Sequence, residues 1–255
     1  MIDDWMFAAI AAVIGAAVGS FLNVCIYRVP RKMSIASPPS ACPHCGRQLS
    51  WYENVPFVAW LVLRGRCRTC GARLGVRYLV IEALTAVMFA AAAWYYGPTL
   101  LLASRLSLGC VLIVLFAIDL EHQLLPHIIT FPAMAVGFAL SALAGQWLDS
   151  LLGIVVGYGV LEGIFWIWWW LRHEEALGGG DPPMLGMIGA FLGWRMTVMT
   201  MFFGSVAGSV FGLGLITLGR GHMKSLIPFG CFLAIGAAVA ATIGPALLAW
   251  YLGLM

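Results

Sequence analysis

Charge is what this chain has least of. Only 10% of its 255 residues are Asp, Glu, Lys or Arg, whereas soluble domains carry about a quarter. A chain that is 62% hydrophobic, with a mean hydropathy of +0.95, is excluded from the soluble globular class. Net charge is only +3, which leaves no basic face for nucleic acid, so no nucleic-acid partner is expected. Basic residues are also missing from the start. Asp3 and Asp4 stand where a secretory signal carries Lys or Arg, and no small-residue cleavage site follows, so the first apolar run is expected to persist as a span. There is no internal repeat and no glycine-rich Rossmann fingerprint.

Apolar length is what the chain has instead. A spanning helix needs about 20 mostly apolar residues. Once one polar stretch is set aside, the remainder holds seven or eight such runs. The expected fold class is an all-α polytopic membrane protein of about eight transmembrane helices with a small insertion after the first. Residues 1–29 would form the first span, 30–77 the polar unit and 78–255 the main bundle. Arg28, Arg31, Lys32, Arg47, Arg64, Arg66, Arg68, Arg73 and Arg77 lie in or beside the polar unit, which places it on the cytoplasmic side by the positive-inside rule. Trp166, Trp168, Trp169 and Trp170 read as an interfacial belt against lipid.

Four of the seven cysteines fall in the polar unit, as Cys42-Pro43-His44-Cys45 and Cys67-Arg68-Thr69-Cys70. Two Cys-x-x-Cys pairs about 20 residues apart suit tetrahedral coordination of zinc, with Gly46 and Gly71 placed to close each knuckle. Redox or free thiols are the alternative. Four thiolates leave no open position, so the metal would be structural, and in so short a stretch it would supply folding energy. Cys25, Cys110 and Cys231 lie in apolar runs and read as small buried hydrophobes.

Several polar residues stand at membrane depth. Asn23 wants a partner there, either in the bundle interior or on a ligand, while Gly15, Gly19 and Ser20 suit helix packing. Glu82 is either functional or paired with Arg77. Glu53 and Asn54 either contact a polar ligand or belong to a solvated loop.

Two carboxylates stand at the ends of apolar runs, Asp119 closing one and Asp181 opening another. Asp181 follows Gly178-Gly179-Gly180, which offers bare backbone beside an acid. Counted along the spans, both emerge on one membrane face. The plain alternative for Asp181 is a helix N-cap, since Pro182 follows it. Two carboxylates sharing a site cannot both ionise cheaply, so one can activate water while the other protonates an oxygen. That is the chemistry of an aspartyl protease.

The ordered set of motifs resembles the bacterial prepilin peptidases, aspartyl proteases of the Gly-x-Gly-Asp type that serve type IV pili and type II secretion. The residues are Gly19-Ser20-Phe21-Leu22-Asn23-Val24 with Tyr27-Arg28, the paired Cys-x-x-Cys, Trp51-Tyr52-Glu53-Asn54-Val55-Pro56, Arg77-Tyr78, Glu82, Asp119, Gly178-Gly179-Gly180-Asp181 and Ile227-Pro228-Phe229-Gly230. The resemblance covers nearly the whole chain. It implies that Asp119 and Asp181 are catalytic and that Gly178, Gly179 and Gly180 admit the substrate backbone. It also implies a prepilin or pseudopilin substrate, cleaved after a glycine at the cytoplasmic face of the inner membrane. Methylation of the new N-terminus by S-adenosylmethionine would follow, with Asn23, Arg28, Glu53 and Glu82 as the cofactor-binding set. Three positions depart from the family pattern: Pro183 replaces a lysine, and Leu79 and Cys231 each replace a proline. Pro183 keeps open an impaired relative or a zinc-braced secretion scaffold. A metal transporter is disfavoured, because the spans carry no His/Asp ladder.

Overall fold

The structure, a computed structural model, describes residues 4–42, 44–73, 75–173, 178–218 and 228–253. Glu174 to Leu177, Arg220, His222, Lys224 and Ile227, which figure in the sequence reading, lie outside the described residues. The helices are α1 (Asp4–Arg28), α2 (Val58–Val62), α3 (Arg77–Tyr96), α4 (Leu100–His122), α5 (His127–Leu143), α6 (Trp147–Arg172), α7 (Asp181–Thr217), α8 (Phe229–Thr242) and α9 (Gly244–Gly253). Among the described residues the only β-structure is a pair of isolated bridges. Helices that satisfy their own backbone are what lipid requires.

Five helices, α1, α3, α4, α6 and α7, are long and apolar enough to cross a membrane, and α8 with α9 make a sixth if that pair, bent by 61°, is one span. At 17 residues α5 is shorter. Asp181–Thr217, long enough for two of the expected spans, is one helix, α7, interrupted at Gly193, whose φ of 76° and ψ of 168° are not helical. Among the described residues, helix length and composition therefore allow five or six crossings, and the expectation of eight goes beyond them. The helix that carries Asp119 also runs on past it. Glu121 and His122 continue α4, so Asp119 lies inside its last turn and the connecting loop begins at Gln123.

The chain divides into two compact units, Met1–Leu106 and Ser107–Met255, with α4 starting in the first and continuing in the second. In the first unit α1 packs on α3 through its small residues. A Cβ on Gly15 would come 2.7 Å from the Phe89 side chain, and one on Gly19 would come 2.8 Å from the Glu82 Cα. Close backbone approach of this kind is how helices associate without a hydrophobic driving force. Asn23, one turn further on, is thereby pressed against α3.

The second unit is built on α7. Met184, Leu185, Met187 and Ile188 on its first half are fully buried with Leu115 and Leu233. Glycines bring α6 against that half, Gly153 meeting Gly189 and Gly157 meeting Leu185. At the Gly193 break the Ala190 carbonyl accepts hydrogen bonds from the hydroxyls of Ser141 at 2.9 Å and Ser150 at 2.7 Å. The second half of α7 packs on α8, where Gly204 lies against Phe232 and Gly236 against Thr200. These contacts bring the start of α8 back to the end of α4.

Candidate functional sites

The two aspartates meet in the second unit. Asp119 enters from the last turn of α4 and Asp181 is the first residue of α7, and each residue is only 4% exposed. They lie close enough for the Asp119 charge to act on Asp181. Oδ2 of Asp119 accepts the main-chain N–H of Cys231 at 2.9 Å, and the Gly230 N–H also faces this carboxylate. Asp181 does not cap its helix. Gly180 occupies the N-cap position and no side-chain cap bond is made; the Gly178 N–H faces the Asp181 carboxylate instead. Its acid group is thus held at a helix start without being consumed by it.

The three glycines serve differently. Gly178 and Gly179 are exposed, and nothing stands within 4 Å of a Cβ placed on Gly179. Gly180 is needed for packing, because its Cβ would lie 2.5 Å from that of Leu125. Leu125, in the loop after α4, also reaches Gly230, where an added Cβ would come 2.9 Å from both its methyl groups and from Asp119 Oδ2. One buried leucine therefore sets the spacing of the acid-bearing elements. Sequence reasoning missed Leu125, since an isolated Leu in a membrane protein carries no signal. It also missed Cys231, whose contribution to Asp119 is a backbone N–H.

The first unit holds the cysteines. All four sulfurs lie within 4.8 Å of one another; Cys42 and Cys70 are 3.8 Å apart and Cys45 and Cys67 are 4.0 Å apart. Metal–sulfur bonds of about 2.3 Å in a tetrahedron give edges of about 3.8 Å, so the set fits a metal ion. The two knuckles are built alike. Gly46 N–H donates to Cys42 O at 2.9 Å and Gly71 N–H to Cys67 O at 3.0 Å, both glycines at φ near +70°. Each knuckle is closed by one antiparallel bridge, Ala41 to Gln48 and Arg66 to Arg73. Backbone N–H groups of Cys70 and Thr69 aimed at the Cys67 sulfur draw that thiol down to about 6, while burial and the neighbouring thiols push Cys70 up to about 11, so Cys67 is the member of the set that gives up its proton most readily.

Beside the knuckles a cavity of about 320 Å³ is lined by Asn23, Arg28, Glu53 and Glu82 together with Tyr27, Phe57, Trp60 and Tyr78. Its volume falls in the range of small-molecule sites. The four polar residues are not equivalent. Arg28 is spent on the carbonyls of Ser34 and Pro38, and Glu53 on Arg47 and the Ser50 N–H. Asn23, 1% exposed, donates to Gly19 O and Tyr78 O, and its Oδ1 has no partner among the described residues. Glu82 accepts the Phe57 N–H at 2.9 Å through Oε2. The indole N–H of Trp60 is also buried without a partner among the described residues. An unsatisfied buried acceptor and donor in one cavity are costly unless a ligand or water meets them. Arg105, inside α4, bonds to Tyr96.

Residues 13–96 match the bacterial peptidase A24 N-terminal domain and residues 106–213 the type IV leader peptidase family. Among curated proteins, the prepilin leader peptidase/N-methyltransferase of Myxococcus xanthus is 43% identical over 218 residues, covering 84% of this chain and 65% of that protein. Proteins of the same name from Aeromonas hydrophila and Pseudomonas aeruginosa are 34% and 32% identical, over 97% and 96% of this chain and 94% and 93% of theirs. No solved structure matches the chain.

Proposed function

Since the chain belongs to the prepilin leader peptidase/N-methyltransferase family, we propose that it cleaves the leader from prepilins or pseudopilins and then methylates the new N-terminal residue. The observation that carries the peptidase reading is the convergence of Asp119 and Asp181, both buried, from two helix ends beside exposed glycine backbone. In this reading one aspartate, ionised, takes a proton from water as the water attacks the scissile carbonyl carbon. The other, protonated, hydrogen-bonds the carbonyl oxygen as negative charge develops there. Collapse of the tetrahedral species breaks the C–N bond and returns a proton to the leaving amine. Gly178 and Gly179 let the substrate backbone lie against the enzyme without side-chain interference. The scissile bond follows a glycine at the cytoplasmic face of a bacterial inner membrane, where nine basic residues in and beside the polar unit hold that side.

The cavity of the first unit is the proposed site for S-adenosylmethionine, which when bound supplies an electrophilic methyl group. Asn23 Oδ1 offers an acceptor and Trp60 a donor, the Glu82 carboxylate offers a counter-charge, and the rings of Tyr27, Phe57 and Trp60 suit a cationic sulfonium. Arg28 and Glu53 line the same cavity but have their hydrogen bonds taken up in holding the knuckle chain and the Trp51–Asn54 turn in place. Cys42, Cys45, Cys67 and Cys70 are assigned to structural zinc, a closed thiolate set that braces the cavity and enters no chemical step.

Cleavage of a prepilin in liposomes by wild type, Asp119→Asn and Asp181→Asn tests the peptidase reading. Loss of leader release by roughly a hundredfold or more in both variants is expected, with the wild-type melting temperature in detergent retained as the folding check. A folded Asp119→Asn enzyme that cleaves at the wild-type rate would sink the two-aspartate mechanism.

A further inference from the structure

We propose that α2 is seated in the membrane, its outer face sunk among the phospholipids of the leaflet at the end of α1 and the start of α3. The inference stands on geometry and holds whichever reaction the chain performs. Residues 57–63 divide by side. Phe57, Trp60 and Leu63 line the cavity of the first unit. Val58, Leu61 and Val62 lie on the other side and are 53%, 60% and 74% exposed. Their i, i+3, i+4 spacing gathers them on one helix face. An apolar face left this open calls for an apolar partner.

Two observations make that partner lipid. The first is depth. The Phe57 N–H donates to Glu82 Oε2 at 2.9 Å, and Glu82 stands five residues beyond Arg77, where α3 begins. Five residues of helix are roughly 7.5 Å, so α2 starts that far along a helix which is itself apolar and long enough to cross a membrane. Interfacial helices sink to the same depth, about 5–10 Å. The second is charge. Residues 58–77 carry Arg64, Arg66, Arg68, Arg73 and Arg77 and no Asp or Glu, and Arg64 and Arg66, directly after α2, are exposed. An apolar face followed by cations matches the acyl boundary and the phosphates of an anionic leaflet. A second copy of this chain docked face to face would instead bring like charges together. Since Trp60 stands on the opposite side of the same turn, lipid backs the cavity wall from outside.

The test puts the photoreactive residue p-benzoylphenylalanine in place of Val62, Leu61 or Gln48 in the full chain, reconstituted in vesicles of phosphatidylethanolamine and phosphatidylglycerol. Adducts formed on irradiation are read by mass spectrometry, with the wild-type melting temperature in detergent as the folding check. Gln48, exposed on the first knuckle, is the control. Phospholipid adducts at positions 62 and 61 are expected at roughly fivefold or more the yield at 48, because an interfacial helix buries its apolar face in lipid. Adding Leu61→Glu is expected to cut the yield at position 62 by roughly threefold or more, since a carboxylate resists entry into hydrocarbon. If the position 62 protein fails the folding check, position 61 decides. Lipid yields at 61 and 62 no higher than at 48, or a yield at 62 untouched by Leu61→Glu, overturn the seating. A cross-link joining two chains through these positions overturns it as well and makes the face a protein contact.

Discussion

Gly153 of α6 and Gly189 of α7 meet backbone to backbone, so that a Cβ on either would fall on the other's carbonyl. Because neither atom is a movable side-chain end, relief requires the helices to separate. Gly189→Ala is expected to destabilise the second unit by about 1–3 kcal/mol, the usual cost of overpacking, and to lower cleavage, since α7 carries Asp181. Gly163→Ala on α6, where a Cβ meets open space, is the control. Thermal melting in detergent decides it, and equal melting temperatures for the two variants would contradict the contact.

The cysteine cluster predicts about one metal equivalent per chain, absent from Cys42→Ser and Cys70→Ser and retained in Cys25→Ser. Removing the metal with a chelator should lower the melting temperature by roughly 5 °C or more, as a site that supplies folding energy must. Methyl transfer should fall with it, because Cys42 and Cys67 line the same cavity. Full methyl transfer after complete metal removal would contradict the bracing role.

Asn23→Ala deletes the unpartnered Oδ1 and is expected to raise KM for S-adenosylmethionine roughly tenfold, the cost of one buried hydrogen bond. Glu82→Gln keeps the shape and removes the charge, and should weaken a cationic methyl donor more than its neutral product. Titrating both ligands into both variants by calorimetry distinguishes these. Equal losses for the sulfonium and for the neutral thioether in Glu82→Gln would rule out the counter-charge.

Glu53 gives a pH prediction. The Ser50 N–H foremost, and then Arg47, hold its carboxyl below the ordinary range. A depressed carboxylate stabilises the folded state above its unfolded value and loses that contribution as pH falls through its folded one. The melting difference between wild type and Glu53→Gln should therefore be constant near neutrality and shrink below the ordinary carboxylate range. A gap that widens on acidification would reverse the sign.

The clustering of the four cysteines was legible in the sequence because it is local: two identical spacings, each with a glycine for the left-handed turn. The pairing of Asp119 with Asp181 was legible for a different reason. Apolar runs count crossings, and counting puts both on one face. Asp181 as N1 instead of cap, and α4 running on to His122, are matters of one or two residues at helix ends, where polar loop and helix end share a composition. The break at Gly193 was hidden among the other glycines of that run, since only the packing of Asp149 against it marks the position. Backbone donors such as the Cys231 N–H carry no side-chain identity and are invisible until the fold places them.

The serines at that break carry a consequence for mutational tolerance. The last carbonyls before a helix interruption need outside partners, and the Ala190 carbonyl has two, from different helices. Either Ser141 or Ser150 is enough to keep it satisfied, so each serine is dispensable while the other stands. Exchanged together for alanine, they leave a carbonyl bare in an apolar interior, and the double change costs more than the sum of the single ones. A survey of single substitutions would score both positions as neutral and overlook a joint dependence that holds the bend in α7.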